Sequence, residues 1–314
     1  MLKTRPSPYL LIVIFLPFVL FWRWLLQGEV LYWGTLLFQF WPWRQLVKTS
    51  LLAGEWPLWN PLLGNGSPLL ANLQSAVFYP PNLLYLVMPV EHGLTFSVLF
   101  HLLLAGLFMV LYTQQLGLTP FAAAVSALTY MGSGYLIGRT QFVTIVNAAA
   151  WLPVILSLCE SIARRHPLSQ RGGLAVIGLS LALTMPLLAG HAQLWFYSLW
   201  LAGPYALVRG WQTAKSRGDR SPWSGALQAG WRLGLALALA LLLAAAQLLP
   251  TAELMLESGR SSGAERTFAL TYSFWPWRLI TLLAPNFFGH PATGDYWGYA
   301  NFWEDHAYVG VLPL

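Results

Sequence analysis

The chain alternates long apolar segments with short polar connections, apart from two connections that are much longer than the rest. Seven segments have the length and apolar character of a membrane-spanning helix, which needs about 20 mostly apolar residues. They cover roughly residues 9–26, 93–112, 121–138, 142–159, 174–189, 194–208 and 233–249. An eighth begins near His306 and is cut off at Leu314. Because a bilayer core offers backbone groups no partners, this pattern predicts an all-α polytopic membrane protein with about seven to eight transmembrane helices.

The two long connections are expected to carry the functional residues. We call them loop 1, about residues 28–92, and loop 2, about residues 251–305. Together they contain nine of the 17 Trp residues and nearly all of the acidic residues. Loops of this length in a compact bundle are usually functional or have structure of their own. We therefore interpret residues 1–314 as a single transmembrane domain whose last span is truncated and whose two loops carry interfacial helices.

Composition agrees with the membrane interpretation. Apolar residues make up 57% of the chain and charged residues only 9%, whereas soluble domains carry about 25% charge. The same composition excludes a disordered, collagen-like, coiled-coil or disulfide-stapled chain. The single cysteine, Cys159, excludes an internal disulfide and a cysteine-based metal site.

The charged residues divide unequally between the two faces of the predicted bundle. With the amino terminus in the cytoplasm, the inner face holds ten of the 17 basic residues and two of the 11 acidic residues. The basic connections 160–172 and 209–232 both fall on that face, as the positive-inside rule requires. Loops 1 and 2 then lie on the outer face. The formal charge of +6 is a topological signal beside anionic lipid, and we expect no nucleic-acid partner.

Both long loops contain the pentapeptide Phe-Trp-Pro-Trp-Arg, at residues 40–44 and 274–278. In each copy the proline stands where a helix can start, and an apolar stretch follows. Two interfacial helices anchored by tryptophan explain the motif. A paired cradle for a phosphate-bearing lipid, with Arg44 and Arg278 as its cations, is the alternative.

The rest of loop 1 is rich in Asn-Pro, Gly-Asn-Gly and Pro-Pro steps, which predict a tightly turned and ordered loop. Aromatic residues interleaved with Asn and Gln suit a surface that stacks on sugar rings and hydrogen-bonds hydroxyl groups. They equally suit a loop that packs on its own bundle. The candidate binding residues of the whole chain are Gln39, Arg44, Asn60, Asn72, Gln74, His191, Gln193, Arg260, Arg278 and Asn286.

An ordered set of short motifs resembles the bacterial YfhO-type membrane proteins. In loop 1 these are Gln39 with Pro42-Trp43, residues 57–61, 66–68, 72–75 and 78–80. The later ones are residues 190–193, 247–251, 258–260, 285–289 and 308–310. The resemblance covers most of the chain. Because members of that family are usually much longer, the chain resembles an amino-terminal portion of one.

The YfhO-type family is in turn similar to the C-type multi-spanning (GT-C) glycosyltransferases, which share a cytoplasmic amino terminus and large outer loops after the first and seventh spans. The resemblance implies a GT-C-like helical bundle in the bacterial cytoplasmic membrane. It also implies transfer of a sugar from a polyprenyl-phosphate carrier to an envelope glycan or lipid acceptor on the outer face. In such enzymes an outer-loop Asp or Glu acts as general base or orients the acceptor, and basic residues hold the phosphate leaving group.

The chain departs from this pattern at Gly34-Thr35, where relatives tend to carry an Asp. Threonine cannot act as a base at neutral pH. The candidate catalytic acids are therefore Glu29 and Glu55 in loop 1 and Glu304 and Asp305 in loop 2. The missing acid also favours an inactive protein.

Other ionisable residues lie within or at the ends of the predicted spans, where they are costly and suggest function. His191 is the best-placed polar contact, although a structural histidine at a helix end explains it nearly as well. His101 is more simply explained by a hydrogen bond between helices, and Arg139 lies at a span edge. Glu253, Glu257 and Arg260 fit a solvated ion pair, with a lipid phosphate on Arg260 as the alternative.

No metal or cofactor motif is present in the sequence. The run Glu304-Asp305-His306 contains possible ligands, but three adjacent residues cannot all converge on one ion, so the cofactor is left unknown. Three functions remain open: a lipid-linked sugar transferase, a non-catalytic protein that binds a glycolipid or a cell-wall polymer precursor, and a transporter. A transporter needs paired charges at mid-membrane and ranks third.

Overall fold

The computed structural model describes residues 7–164, 170–259, 263, 270–271, 273, 275–299, 301–306 and 308–310, without the side chains of residues 170, 171 and 305. The described chain is mostly helical. Its longer helices are α1 (Pro8–Leu20), α3 (Trp41–Leu52), α5 (Val90–Gln115), α6 (Pro120–Met131), α9 (Leu152–Arg164), α10 (Gln170–Leu188), α11 (Ala192–Ser216), α12 (Pro222–Leu243) and α13 (Ala245–Glu257). The short helices are α2 (Trp22–Gln27), α4 (Leu84–Val87), α7 (Gly134–Gly138), α8 (Val143–Ala149) and α14 (Phe302–Asp305).

All seven predicted spans are helical, although several are interrupted. Among the described residues, four helical segments are long and apolar enough to cross a membrane: Val90–Gln115, Pro120–Gly138, Val143–Arg164 and Pro222–Leu243. Two shorter apolar helices cover Pro8–Leu20 and Gly172–Leu188. The helix Ala192–Ser216 is as long as these but contains more Trp, Tyr and polar residues. The described fold is therefore a largely helical protein with four candidate membrane-spanning segments.

The interruption between α6 and α7 follows from local capping. Gly132 ends α6, and the hydroxyl of Ser133 accepts a hydrogen bond from the Leu136 amide at 3.4 Å, which starts a new helix. At the other end of α6, Thr119 caps the helix and Pro120 occupies its first turn. The predicted span 121–138 is thus two helices in succession, and Arg139 follows immediately at the end of α7.

The helices pack around two apolar cores. The first joins α1, α5, α6 and α8, and the second joins α9, α10, α11 and α12. Small residues let helices approach closely, most clearly where α11 crosses α12. There a Cβ on Gly210 would lie 2.4 Å from the Gly225 carbonyl oxygen. Large apolar side chains such as Phe15, Trp200 and Leu242 face outward and remain exposed, as helices in a bilayer require.

Loop 1 is an ordered structure. A π-helical turn, Leu36–Phe40, leads into α3, and a two-stranded antiparallel sheet pairs β1 (Trp59–Asn60) with β2 (Ser67–Pro68). Two 3-10 turns, Leu73–Ser75 and Pro80–Leu83, then lead to α4. Loop 2 contains a 3-10 helix, Pro276–Leu282, and then α14. The helix starts predicted at Pro42 and Pro276 are confirmed, since each proline lies in the first turn of its helix.

Candidate functional site

A buried hydrogen-bond network fastens loop 1 to the bundle. The hydroxyl of Tyr79 is 2.6 Å from Nε2 of His101 and accepts a hydrogen bond from the indole of Trp151 at 2.9 Å. Nδ1 of His101 is 2.7 Å from the carbonyl oxygen of Ser97, one turn earlier in α5. His101 is fully buried. The simpler sequence interpretation of His101, a histidine hydrogen-bonded between elements of the bundle, agrees with this geometry.

The two arginines of the repeated pentapeptide have the same local role. Arg44 is buried, donates hydrogen bonds to the carbonyl oxygens of Ser75 and Gln74, and lies 5.7 Å from the ring centre of Tyr85. Arg278 is buried, donates to the Tyr299 carbonyl oxygen at 2.9 Å, and lies 5.7 Å from that tyrosine ring. Each guanidinium therefore supports the backbone of its own loop. The predicted phosphate cradle formed by both arginines is not seen in these contacts.

Several of the predicted binding residues meet in one polar cavity of about 500 Å³, which we call the amide cavity. It lies between loop 1, the start of α11 and the end of α13. Gln39 adjoins it, because its amide donates to Oε1 of Gln74 at 2.6 Å. The amide cavity is lined by Ala71, Asn72, Leu73, Gln74, Gly190, His191, Ala192, Gln193, Thr251, Leu254, Met255 and Ser258.

Long-range contacts hold the walls of the amide cavity together. From α13, Gln247 donates to the Leu70 carbonyl oxygen and Thr251 donates to the Ala71 carbonyl oxygen, both at 2.8 Å. On the opposite side, Gly190 has a φ of +93° and lies so close to loop 1 that a Cβ would be 2.6 Å from the Leu73 carbonyl oxygen. Only glycine fits this position without strain.

His191 has both of the roles that the sequence left open. Its Nδ1 accepts a hydrogen bond from the Leu194 amide at 3.2 Å, which caps α11, and its ring also lines the amide cavity. Burial, together with the positive charge of Arg139, lowers the pKa of His191 below its ordinary value. The imidazole is therefore neutral at neutral pH.

A second polar cavity, of about 560 Å³, lies between the end of α7 and loop 2, and we call it the aromatic cavity. Trp303 forms part of its wall and packs between Trp33 at 5.5 Å and Phe142 at 6.0 Å, measured between ring centres. The aromatic cavity is lined by Trp33, Ile137, Gly138, Thr140, Gln141, His290, Pro291, Ala292, Phe302, Trp303 and His306.

Two glycines of α7 make room for the His306 imidazole. A Cβ on Gly134 would lie 2.7 Å from Nε2 of His306, and a Cβ on Gly138 would lie 3.0 Å from Nδ1. Burial lowers the pKa of His306 most, the charges of Arg139 and His290 lower it further, and the resulting pKa is about 4. Within the described part of the chain, Nδ1 of His306 and Nε2 of Gln141 are buried without a hydrogen-bond partner. Such groups in a cavity are available to a ligand.

Arg139 lies close to residues that line both polar cavities, although it is not itself a lining residue of either. Its guanidinium is 3.7 Å from the Glu304 carboxylate and 4.1 Å from the ring centre of Tyr135. The arginine side chain is almost completely buried, whereas Glu304 is about half exposed. The positive charge of Arg139 is close enough to act on both His191 and His306. A buried cation close to residues of two polar cavities is suited to binding an anionic group.

An apolar groove of about 770 Å³ lies in the bundle between α5, α6, α9 and α11. Near the loops it is bounded by Tyr135, on which Arg139 lies, and by Tyr197, which accepts a hydrogen bond from Gln193 at 2.7 Å. It extends along α6 from Tyr130 to Val125, a distance of about 7.5 Å at 1.5 Å per residue. The groove is lined by Met109, Thr113, Val125, Ser126, Thr129, Tyr130, Ser133, Tyr135, Leu136, Ala149, Leu152, Leu194, Tyr197, Ser198, Leu201 and Val309.

The predicted catalytic acids lie in different places. Glu29 is exposed and pairs with exposed Arg23 at 2.9 Å, and Glu55 is also exposed. Neither lines one of the cavities described above. Glu304 lies beside Arg139, whereas the side chain of Asp305 lies outside the described residues.

The Gly34-Thr35 segment lies at the edge of the aromatic cavity, against Gln141. The Thr35 amide donates to Oε1 of Gln141 at 3.4 Å. A Cβ on Gly34, whose φ is +54°, would lie 2.3 Å from the same oxygen. An acidic side chain in this segment would therefore lie beside Gln141. The segment has no acid, and the Gln141 amide is the polar side chain in contact with it.

Three other predicted binding residues are not placed in the cavities. Asn60 is buried and its side chain accepts a hydrogen bond from the Leu62 amide at 2.9 Å, which stabilises a turn. Asn286 is exposed, and its carbonyl oxygen accepts a bond from Gly289 in a turn. Arg260 lies outside the described residues.

Sequence reasoning did not select Gln141, Trp33 or Trp303 as binding residues, and it considered His306 only as a metal ligand. The available signal was the spacing of Gly134 and Gly138 immediately before Arg139, because two small residues on one helix face admit a close neighbour. Among the described residues, no group of three or more His, Cys, Asp or Glu side chains is placed to hold a metal ion.

No protein-family model, curated protein or solved structure matches this chain. Any functional conclusion therefore depends on the geometry of the groove and the two polar cavities.

Proposed function

We propose that this protein is a membrane glycosyltransferase of the GT-C-like, YfhO type, which transfers a sugar from a polyprenyl-phosphate carrier to an envelope glycan or lipid acceptor. One observation carries the proposal: the buried Arg139 lies against Tyr135, which lines the apolar groove, and close to His191 and His306, which line the two polar cavities. A lipid-linked sugar has the matching parts in the matching order, namely a long apolar chain, a phosphate and a polyhydroxylated ring.

The donor lipid is proposed to bind with its prenyl chain in the groove and its phosphate at Arg139. The groove walls are mostly apolar, which favours a hydrocarbon chain. The Arg139 guanidinium presents planar donors that match a phosphate, and burial strengthens the interaction because water does not compete. The Glu304 carboxylate, which is 3.7 Å from the Arg139 guanidinium, is proposed to leave Arg139 when the phosphate binds and to contact the acceptor instead.

In the proposed reaction an acceptor hydroxyl attacks the anomeric carbon of the sugar, and the bond between that carbon and the phosphate oxygen breaks. The phosphate leaves with the bonding electrons and is stabilised by Arg139. Two groups near Arg139 are able to take the hydroxyl proton: the Glu304 carboxylate and Nδ1 of His306. His306, with a pKa of about 4, is unprotonated at neutral pH and about as basic as an ordinary carboxylate.

The sugar is proposed to occupy the aromatic cavity, and the acceptor to approach through the amide cavity. Trp33 and Trp303 offer aromatic faces, and Gln141 offers an unpaired amide group in the described structure. The amide cavity has amide, hydroxyl and imidazole groups suited to an acceptor glycan, among them Asn72 and Gln193.

The proposed membrane arrangement has seven to eight spans, a cytoplasmic amino terminus and both loops on the outer face of a bacterial cytoplasmic membrane. It is supported by the positive-inside distribution of charge and by helical structure in each of the seven segments. In this arrangement the cavities open towards the outer headgroup layer, where a polyprenyl-phosphate sugar presents its ring.

A non-catalytic protein that binds a glycolipid or a polymer precursor is the second candidate. It is favoured by the lack of an acid at Gly34-Thr35, where the neighbouring side chain is the amide of Gln141. The exposed positions of Glu29 and Glu55 also favour it. The two candidates share the same binding site and differ in whether transfer occurs.

The test is a transfer assay with radiolabelled polyprenyl-phosphoglucose and polyprenyl-phosphomannose on membranes that contain the full chain. Arg139→Gln is expected to lower transfer about 100-fold, the effect of removing one buried stabilising donor from an acyl-transfer site. Arg23→Gln, which removes an exposed arginine, is the matched control and is expected to keep transfer. Binding of the labelled lipid without transfer would support the second candidate, and the absence of both would contradict the two candidates.

A further inference from the structure

A cluster of charged residues lies at the end of the bundle opposite the loops, around the fully buried carboxylate of Glu160 on α9. The carboxylate accepts hydrogen bonds from the Tyr205 hydroxyl at 2.9 Å and from Nε of Arg209 at 2.6 Å. Nη2 of Arg209 contacts its other oxygen at 2.5 Å, and Arg164 also pairs with that oxygen. Glu160 thus fixes two arginines at the ends of α9 and α11.

The arginines outnumber the carboxylates at this end. Arg217 joins Arg164 and Arg209 by donating to the Arg164 carbonyl oxygen, while Arg232 on α12 donates to the Ile162 carbonyl oxygen. Part of this positive charge is balanced by the partial negative charge at the carboxyl ends of the helices, since Arg164 also donates to the Gln115 carbonyl oxygen at 3.2 Å. One buried carboxylate and three helix ends do not neutralise four guanidinium groups, so an excess of positive charge is left.

This excess borders a cavity of about 470 Å³ in which every lining residue is polar, and we call it the basic cavity. In the described part of the chain, Nη2 of Arg164 and the Nε and Nη1 atoms of Arg217 have no hydrogen-bond acceptor. These donors are therefore available to a ligand. The basic cavity is lined by Arg164, Arg209, Gln212, Thr213, Ser216 and Arg217.

We propose that the basic cavity binds the phosphate of an anionic phospholipid headgroup in the leaflet opposite the loops. Guanidinium forks match a phosphate, and the hydroxyl groups of Thr213 and Ser216 add neutral hydrogen-bonding capacity. Basic cavities between transmembrane helices recur as headgroup sites.

The surroundings favour a lipid over a free phosphate as the source. Trp223 is 68% exposed near the start of α12, and Lys215 lies 4.8 Å from the ring centre of Trp211 at the end of α11. Tryptophan and lysine at the ends of apolar helices are typical of the headgroup level of a membrane. If the bound phosphate belongs to a lipid, the acyl chains of that lipid would lie along the exposed apolar faces of α11 and α12. This inference is independent of the proposed transferase function.

The experiment uses the purified full chain in phosphatidylcholine nanodiscs, with labelled phosphatidylglycerol added at increasing amounts and binding measured by native mass spectrometry. Arg217→Gln is expected to weaken phosphatidylglycerol binding about tenfold, because it removes a charged donor pair from the basic cavity. Lys215→Gln is the matched control. It removes the same charge two residues away on the same helix, but Lys215 does not line the cavity. We expect its effect to be less than about twofold.

A conservative variant guards against misfolding of Arg217→Gln. Arg217→Lys keeps the charge and loses the planar fork, so it is expected to bind with intermediate affinity. Equal losses in the Arg217 and Lys215 variants would overturn the proposal, because they would indicate diffuse surface charge. Displacement of phosphatidylglycerol by inorganic phosphate at similar concentrations would overturn the lipid source. Unchanged binding in both Arg217 variants would overturn the site itself.

Discussion

The network beneath loop 1 and the aromatic cavity contain similar residue types in opposite states. Beneath loop 1, the Tyr79 hydroxyl and both ring nitrogens of His101 have hydrogen-bond partners from the protein. In the aromatic cavity, His306 and Gln141 each keep a buried atom without a partner in the described structure. Buried polar groups in proteins are nearly always paired. The paired groups of Tyr79 and His101 therefore fit a structural role, whereas the unpaired atoms of His306 and Gln141 beside the aromatic cavity are available to a ligand.

Arg44→Met is expected to have the largest effect on stability, because the buried guanidinium of Arg44 supports the backbone of loop 1. It removes the donors to the carbonyl oxygens of Ser75 and Gln74 in a buried place. Leaving those groups unpaired costs about 2–4 kcal/mol in the free energy of unfolding. Thermal unfolding in detergent measures the loss. Arg23→Met is the control, and equal melting temperatures for the two variants would contradict a supporting role for Arg44.

Gly190→Ala is expected to have the next largest effect, because it attacks the contact between α11 and loop 1. The added Cβ would meet the Leu73 carbonyl oxygen at 2.6 Å, and the φ of +93° is unfavourable for alanine. We expect a loss of about 1–3 kcal/mol from strain. Gly203→Ala is the matched control, since nothing lies within 4 Å of a Cβ at that helical position. The comparison of the two melting temperatures is the readout.

The pH dependence of stability tests the state of His306. Its pKa in the folded protein, about 4, lies below the value of about 6.5 for an unfolded histidine. The unfolded state therefore binds the proton first, so stability is complete above about pH 6.5 and falls as the pH drops towards 4. His306→Gln is expected to make this decline shallower. Identical pH profiles for the variant and the wild type, measured by thermal unfolding, would show that His306 titrates normally.

Glu29→Gln is expected to have the smallest effect. Its carboxylate forms an exposed pair with Arg23, and such pairs contribute about 0–1 kcal/mol. Transfer is expected to stay within about twofold of the wild type. The free energy of unfolding is expected to change by no more than about 1 kcal/mol. A large loss of transfer with an unchanged melting temperature would place the catalytic acid in loop 1 and contradict the role proposed for Glu304.

The helices were predictable from the sequence, and so was part of the site. Long apolar runs determine helices because the backbone must pair within each run, so all seven segments are helical. The meeting of Asn72 and Gln74 with His191 and Gln193 was predictable only as a set of candidates. Their convergence depends on contacts between residues more than 100 positions apart, such as Gly190 with Leu73.

The roles of the arginines were not predictable from local sequence. Arg44 and Arg278 stand beside tryptophans in identical pentapeptides, for which the sequence favoured interfacial helices and left a phosphate cradle as the alternative. In the structure both donate to loop carbonyl oxygens. Arg139 has no such motif but lies close to His191 and His306, which line the two polar cavities. Whether an arginine meets a carbonyl group or a cavity depends on how the loops fold over it. The spacing of residues along the chain does not specify that.

The most direct measurement is a cryo-electron microscopy structure of the full chain with bound polyprenyl-phosphoglucose. We predict that the prenyl chain lies in the groove between α5, α6, α9 and α11, with the phosphate within hydrogen-bonding distance of Arg139. We also predict the sugar ring beside Trp303 and His306. A lipid phosphate bound away from Arg139, with the groove occupied by protein or by ordinary phospholipid alone, would contradict the account.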